Sequence, residues 1–147
     1  MNLSKGLLAR SMVAVAVVAC LAVQFVHPAS ANQRQQIIEK ITSEAKTLDQ
    51  NFPGFSADRG KALFLSRPAT GKPDTPSCTS CHTSNPSNVG ETRAGKEIAP
   101  MALSKSPERY GDLEKIEKWF RRNCNSVLGR ACTPVEQGDF LTFMFSQ

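Results

Sequence analysis

Apolar residues recur with a helical period in the segment from Asn32 to Phe52. They lie three or four positions apart and are separated by glutamine, glutamate, lysine and aspartate: Ile37, Ile38, Ile41, Ala45 and Leu48. This spacing predicts an amphipathic helix with one buried face. The run Asn51-Phe52-Pro53-Gly54 combines residues that break helices, so the helix is expected to end there.

A second helix is predicted to begin after Ser56, which is a suitable N-cap, and to continue to Leu65. Gly60 falls inside it. Glycine in a helix interior is less stable than alanine by about 1 kcal/mol, so its presence needs a structural reason. We expect another element, the last helix, to approach the backbone closely at Gly60.

Two further helices are predicted towards the end of the chain. The first runs from Asp112 to Arg122, and its proposed buried face consists of Leu113, Ile116, Trp119 and Phe120. The start of the second is predicted by Thr133-Pro134-Val135-Glu136. Threonine caps the N-terminus of the helix, proline takes the first helical position and glutamate completes a capping box. Its apolar face is Phe140, Leu141, Met144 and Phe145.

The segment between Arg67 and Ser106 is different, because it is rich in Pro, Gly, Ser, Thr and Asn and shows no sustained periodicity, strand alternation or repeat. Inside it lies Cys78-Thr79-Ser80-Cys81-His82. Two cysteines at this spacing can bond the two vinyl groups of a haem as thioethers, and the histidine that follows becomes the proximal iron ligand. The motif therefore predicts one covalently attached haem c, whose apolar faces supply a core that loops alone could not build.

Two other interpretations of the motif are a redox-active cysteine pair and half of a zinc site. A zinc site needs a second close pair of ligands. The later cysteines, Cys124 and Cys132, are separated by seven residues, whereas structural zinc sites usually have two to four. The spacing therefore favours haem over zinc.

The first 31 residues have the composition of a secretory signal peptide. Lys5 and Arg10 form a basic start, the run from Met12 to Val26 is apolar, and Ala29-Ser30-Ala31 fits a cleavage site. The alternatives are an uncleaved N-terminal anchor and lipid attachment at Cys20. Cleavage after Ala31 predicts a periplasmic protein without a membrane span, consisting of an N-terminal helix (32–54) and one domain (55–147).

Removing the signal peptide changes the charge and the set of possible ligands. It leaves 16 basic and 13 acidic residues, so the net charge falls from +5 to +3, which gives no indication of a nucleic-acid partner. It also removes His27 and leaves His82 as the one histidine. The second axial ligand of the iron is then not a histidine.

The residues leave several candidates for the second ligand: Met101, Met144, a lysine, Asn123 or Asn125. Methionine would hold the iron in both oxidation states and give an electron carrier, whereas a weak ligand would leave the iron open to gases. Met144 fits the apolar face of the last helix and is expected in the core, and Met101 is a ligand candidate or a packing residue. The two asparagines are expected in the loop between the last two helices.

At this point the sequence resembles a known family. Gly60-x-x-Leu63-Phe64, the motif at Cys78 and the terminal helix are similar to class I cytochrome c, an all-α fold of helices packed around one haem. The segments 71–78, 92–100 and 117–134 narrow the resemblance to the sphaeroides haem protein family, which are oxygen-binding cytochromes c with an asparagine ligand. This resemblance covers residues 55–147, so the helix at 32–54 is an addition to the fold.

The resemblance implies that Asn123 is the second ligand of ferric iron and that Cys124 and Cys132 form a disulfide beside it. An amide oxygen is a hard donor that suits Fe(III) better than Fe(II). Reduction by a partner redox protein, expected to be another cytochrome, should therefore release Asn123 and open the site to O₂, NO or CO. Met101 remains the alternative ligand.

Three functions compete on this basis: a redox-linked gas-binding protein, a plain Met-ligated electron carrier, and an enzyme that consumes O₂ or NO. No distal histidine is available to cleave peroxide, which places the enzyme last. The haem propionates have several candidate partners: Trp119, Arg93, Lys96 and Arg109, with Arg93 preferred among the charged residues.

Overall fold

The computed structural model describes residues 28–147. The predicted signal peptide falls mostly on residues 1–27, which lie outside the described residues, and its cleavage stays a prediction. The described part is mostly helical, as expected, with helices and strands in this order: α1 (Pro28–Leu48), α2 (Ala57–Leu65), α3 (Thr79–His82), β1 (Gly90–Glu91), β2 (Glu97–Ile98), α4 (Leu113–Leu128) and α5 (Pro134–Phe145).

Helix α1 ends at Leu48, so the predicted end at Phe52 is wrong. The side chain of Asp49 accepts a hydrogen bond from the backbone N–H of Asn51 at 2.9 Å, and its carbonyl accepts one from the N–H of Phe52 at 3.0 Å. Aspartate competes for backbone donors in this way, and the resulting turn replaces the last helical turn.

The buried face of α1 is as predicted, since Ile37, Ile41 and Ala45 are nearly inaccessible to solvent. The helix packs against α5. Among the described residues, no helix has the length and apolar character that crossing a membrane requires.

Helices α2 and α5 approach each other closely at Gly60. A Cβ atom built at Gly60 would lie 2.0 Å from the carbonyl oxygen of Asp139 and 2.9 Å from Cβ of Phe143. The prediction that Gly60 marks a close approach of the last helix is confirmed. Only hydrogen fits between the two backbones at this crossing.

Asp139 ties the same two helices together by hydrogen bonds. Its carboxylate is buried, accepts from the N–H of Ser56 at 2.6 Å, and receives two bonds from the guanidinium of Arg59 at 2.6 and 2.7 Å. A buried charge needs such partners, because it loses its hydration. No local sequence pattern indicated this role, since Asp139 stands among the apolar residues of α5.

The predicted capping of α5 is confirmed. Thr133 accepts from the N–H of Glu136 at 3.2 Å, the Glu136 carboxylate accepts from the N–H of Thr133 at 2.8 Å, and Pro134 is the first helical residue. Leu141 and Met144 are fully buried, and Phe143, which the predicted apolar face omitted, is buried beside Gly60.

Helix α4 continues to Leu128, so its predicted end at Arg122 is wrong, and so is the loop expected at Asn123 and Asn125. Val127 and Leu128 are buried and continue the apolar face by two more turns, and Gly129 then ends the helix in the left-handed conformation at φ 69°. Trp119 was expected on this buried face but is 52% exposed.

The remaining elements are short. Strands β1 and β2 form an antiparallel pair in which Gly90 lies opposite Ile98. The pair was not predicted, because two-residue strands are too short to show alternation. Two clusters make up the core: a larger one shared by α1, α2, α4 and α5, and a smaller one around Cys124, Val127 and Leu128.

Candidate haem-binding site

The residues of the Cys78-x-x-Cys81-His82 motif occupy a single helical turn. Cys78 precedes α3, and its carbonyl accepts the N–H of Cys81 at 3.4 Å and that of His82 at 3.2 Å. Both cysteines are free thiols. The turn therefore gathers two sulfur nucleophiles and an imidazole, which is the set that a covalently attached haem requires.

The ring of His82 is held in the form that binds iron. Burial, with a smaller contribution from the positive charge of Arg109, lowers the pKa of His82 to about 4, so the ring is neutral at pH 7. Its Nδ1 is buried and has no hydrogen-bond partner among the described residues. A buried polar atom without a partner is costly and calls for an explanation. The neutral ring and the unpaired nitrogen fit a proximal haem ligand.

Cys78 lies where the two core clusters meet, and it packs against both. Burial raises the pKa of this thiol to about 11, so it is protonated at neutral pH. A protonated, buried thiol is a poor redox nucleophile, since that role needs the thiolate. The motif residues therefore fit a thioether-linked haem better than a redox-active cysteine pair.

The segment that contains the motif, residues 67–106 (the haem loop), is attached to the C-terminal end of α4. The carbonyl of Ser126 accepts the N–H of Lys72 at 2.7 Å and the hydroxyl of Thr75 at 3.2 Å. A Cβ at Gly71 would lie 2.3 Å from the Ser126 and Val127 carbonyl oxygens, and one at Gly129 would lie 2.2 Å from that of Thr70. The chain leading to Cys78 is thus fixed to the helix that carries Asn123.

Asn123 is an exposed residue of α4, one helical turn before this attachment. Four positions earlier on the same helix is Trp119, and four positions later is the buried Val127. Asn123 therefore stands at the edge between the buried and exposed faces of α4. Its neighbour Asn125 points elsewhere, with its amide donating to the carbonyl of Arg121 at 2.7 Å.

Cys124, directly after Asn123, is joined to Cys132, and their Cα atoms are 5.5 Å apart. Cys124 is buried in the smaller core cluster, and Cys132 lies just before Thr133, the cap of α5. The cross-link therefore connects the middle of α4 to the start of α5.

Both methionine candidates lie in the larger core cluster. Met144 is fully buried, as predicted for a core residue. Met101 is 8% exposed, its N–H donates to the carbonyl of Pro86 at 2.8 Å, and its carbonyl accepts the hydroxyl of Tyr110 at 2.7 Å. These contacts fix the backbone at Met101 and favour packing as its role.

The candidates for propionate contacts are scattered. Arg93 pairs with Asp74, Lys96 is exposed, and the Trp119 ring lies 5.2 Å from the guanidinium carbon of Arg122. Arg109 is the candidate whose charge acts on His82, and it donates to the carbonyl of Ala99 at 3.2 Å. The contact expected between Arg93 and a haem propionate stays a prediction.

Comparison with known proteins relates this chain to c-type cytochromes. Residues 50–144 match the family described as a domain of unknown function (DUF1924). The chain is 56% identical over 91 residues to cytochrome c-type protein SHP of Cereibacter sphaeroides, covering 62% of this chain and 70% of that protein. It is 32% identical over 120 residues to cytochrome c'' of Methylophilus methylotrophus, covering 81% of this chain and 83% of that one.

Solved structures agree with the sequence matches. Oxidised SHP, described as an oxygen-binding cytochrome c, matches with a TM-score of 0.71 at 48% identity over 78% of this chain and 96% of its own. The solution structure of cytochrome c'' from Methylophilus methylotrophus, described as giving insight into haem-ligand detachment, matches with a TM-score of 0.69 at 31% identity over 80% and 95%.

Proposed function

Because this chain belongs to the sphaeroides haem protein family of c-type cytochromes, we propose that it is a redox protein whose distal ligand is Asn123 and whose reduced form binds a diatomic gas. It is an all-α cytochrome c with one covalently attached haem c. That haem, held by Cys78, Cys81 and His82, supplies electron transfer and an iron site for O₂, NO or CO.

The observation that carries the proposal is the position of Asn123 on α4. Its amide is exposed and lies one turn before the point where the haem loop is attached to α4. The amide oxygen is a neutral, hard donor, so it binds ferric iron adequately and ferrous iron poorly. Asn123 is then bound in the oxidised protein and released on reduction.

Release of Asn123 is a side-chain movement rather than a loop movement. Ordered helix surrounds the residue, the disulfide fixes Cys124, and the haem loop fixes Ser126. The backbone has little freedom to swing, whereas rotation about the Cα–Cβ bond crosses only a rotamer barrier. Asn125 shows where a free amide can bind on such a helix, namely the carbonyl four residues earlier. For Asn123 that carbonyl belongs to Trp119.

The relatives support the two halves of this proposal separately. One is described as oxygen-binding, and the structure of the other concerns detachment of a haem ligand. The remaining parts are export to the periplasm with cleavage after Ala31, a disulfide that persists in that oxidising compartment, and reduction by another redox protein. No catalytic residue is assigned, and a reaction between bound oxygen and NO would need little from the protein.

The test is the visible absorption spectrum of the holoprotein when oxidised, when reduced without oxygen, and when reduced under CO. We expect a broad ferrous spectrum that CO sharpens. Asn123→Ala should change the ferric spectrum and leave the ferrous CO complex unchanged. Asn125→Ala is the matched control, since it removes the neighbouring amide of the same helix, and its spectra should equal those of the unmodified protein.

A sharp low-spin ferrous band that CO does not alter would contradict the proposal. It would indicate a strong ligand in both oxidation states, with Met101 the first candidate and a plain electron carrier the function. A ferric spectrum that Asn123→Ala leaves unchanged would exclude Asn123 as ligand.

A further inference from the structure

We propose that Lys118, Arg121 and Arg122 on α4 (the basic patch) form the docking surface for an acidic face of the protein that reduces the haem. This inference rests on the proposed function, because a redox-linked ligand requires an electron donor. It adds the position of the contact on this chain and the charge of the partner's surface.

The three cations are neighbours on one face of the helix. Lys118 lies three residues before Arg121 and four before Arg122, all three are exposed, and within residues 28–147 none of them forms an ion pair. Like charges at these spacings destabilise a helix by a few tenths of a kcal/mol per pair. The grouping therefore has an energetic cost that no ion pair of the described structure offsets.

Other charges of α4 are neutralised inside the chain. Lys115 pairs with Asp112 at 3.2 Å, and Glu117 pairs with Lys40 of α1 at 3.0 Å. Ion pairing thus occurs on the part of α4 that precedes the basic patch but not within the patch. A surface with this arrangement attracts an acidic partner and accelerates its association.

Trp119 gives the patch the composition of a protein interface. Its ring is 52% exposed and lies 5.2 Å from the guanidinium carbon of Arg122. Tryptophan and arginine are enriched where protein surfaces contribute most to binding, and an exposed indole is uncommon elsewhere. An aromatic ring flanked by unpaired cations suits a partner that presents carboxylates around an apolar centre.

The patch also lies next to the proposed distal ligand. Arg122 directly precedes Asn123, and Lys118 is little more than one turn away on the same helix. A donor bound at the patch therefore contacts the helix that supplies the proposed distal ligand.

The test is anaerobic stopped-flow reduction of the oxidised holoprotein by a reduced plant-type [2Fe–2S] ferredoxin, an acidic one-electron donor, over a series of salt concentrations. The variant K118Q/R121Q/R122Q is compared with K46Q/K61Q/K105Q, which loses the same charge from exposed lysines elsewhere. We expect the patch variant to react about tenfold more slowly at low salt and to lose most of its salt dependence. The control variant should stay within about twofold of the unmodified protein.

Equal slowing in both variants would overturn the proposal, because the effect would then follow net charge and not the patch. The proposal would also be overturned if the patch variant had a shifted haem reduction potential but the same salt dependence of its reduction rate as the unmodified protein. The arginines would then act on the haem itself. Cosedimentation with vesicles containing anionic phosphatidylglycerol, lost in the patch variant without any change in the ferredoxin reaction, would assign the patch to a lipid surface and also overturn it.

The outcome is separable from that of the proposed function. Reduction by dithionite followed by CO tests Asn123 without any protein donor. A protein that binds CO normally but fails the ferredoxin test keeps the proposed function and loses the docking surface. A protein that passes the ferredoxin test but does not bind CO keeps the docking surface and loses the proposed function.

Discussion

The contact between α2 and α5 and the junction between α4 and the haem loop are stabilised in different ways. The first uses a glycine crossing, an ion pair between the half-exposed Arg59 and the buried Asp139, and apolar side chains, all supplied by the chain. The second uses hydrogen bonds to the carbonyl of Ser126, and the haem loop that it anchors carries the unpaired, buried Nδ1 of His82 and the thiols of Cys78 and Cys81, which form no disulfide. The α2–α5 contact is thus complete by itself, whereas we expect the haem loop to depend on the cofactor.

The largest expected effect comes from removing the haem attachment. The variant C78A/C81A should lack covalently bound haem, because no other thiols are free among the described residues. Intact mass measures the loss, and hydrogen exchange measures its consequence. Exchange should accelerate most in residues 67–106 and least in α2 and α5. Equal acceleration in all of them would show that the α2–α5 contact also depends on the haem.

The next effect tests the glycine crossing. Gly60→Ala would gain about 1 kcal/mol from helix propensity alone. Because the added methyl lies 2.0 Å from a backbone oxygen, we instead expect a loss of about 3 kcal/mol in the free energy of unfolding by urea. Ala62→Gly, at an exposed position of the same helix, is the control and should lose about 1 kcal/mol. A stabilised Gly60→Ala protein would disprove the close crossing.

The disulfide should have a somewhat smaller effect. Replacing Cys124 and Cys132 by alanine opens a ring with a sequence separation of 8, which in the chain-entropy model costs about 2.5 kcal/mol. Urea unfolding of the holoprotein measures this. If the cross-link only stabilises the fold, the CO association rate is unchanged. A faster rate would mean that the cross-link also limits the movement of Asn123.

The smallest effect is the pH dependence of the α5 cap. Hydrogen bonds from Arg130 hold the pKa of Glu136 below its ordinary value of 4.5, with partial burial opposing them. A lowered pKa in the folded state stabilises the protein above about pH 4.5 and ceases to do so as the pH falls through the folded-state value. Glu136→Gln should therefore cost less than about 1 kcal/mol at pH 7, and the cost should shrink as the pH falls below 4.5. A cost that does not change with pH would mean that the carboxylate's charge is irrelevant.

Several features of this protein can be predicted from short stretches of its sequence. The haem motif, the cap at Thr133 and the role of Gly60 depend on residues close together in the chain or on the physical limits of one residue type. Such features can be read from the sequence, because their causes lie within a few positions of it.

Contacts between distant segments decided the rest. Helix α4 extends through Asn123 because Val127 and Leu128 find a buried surface, Asp139 is buried because Arg59 and Ser56 lie opposite, and the charge of Arg109 acts on His82. The residues in these contacts are far apart in the sequence, so no local pattern predicts the contacts. Periodicity predicts which face of a helix is apolar. Only the packed chain determines which residues contact that face and which residues contact the charges beside it.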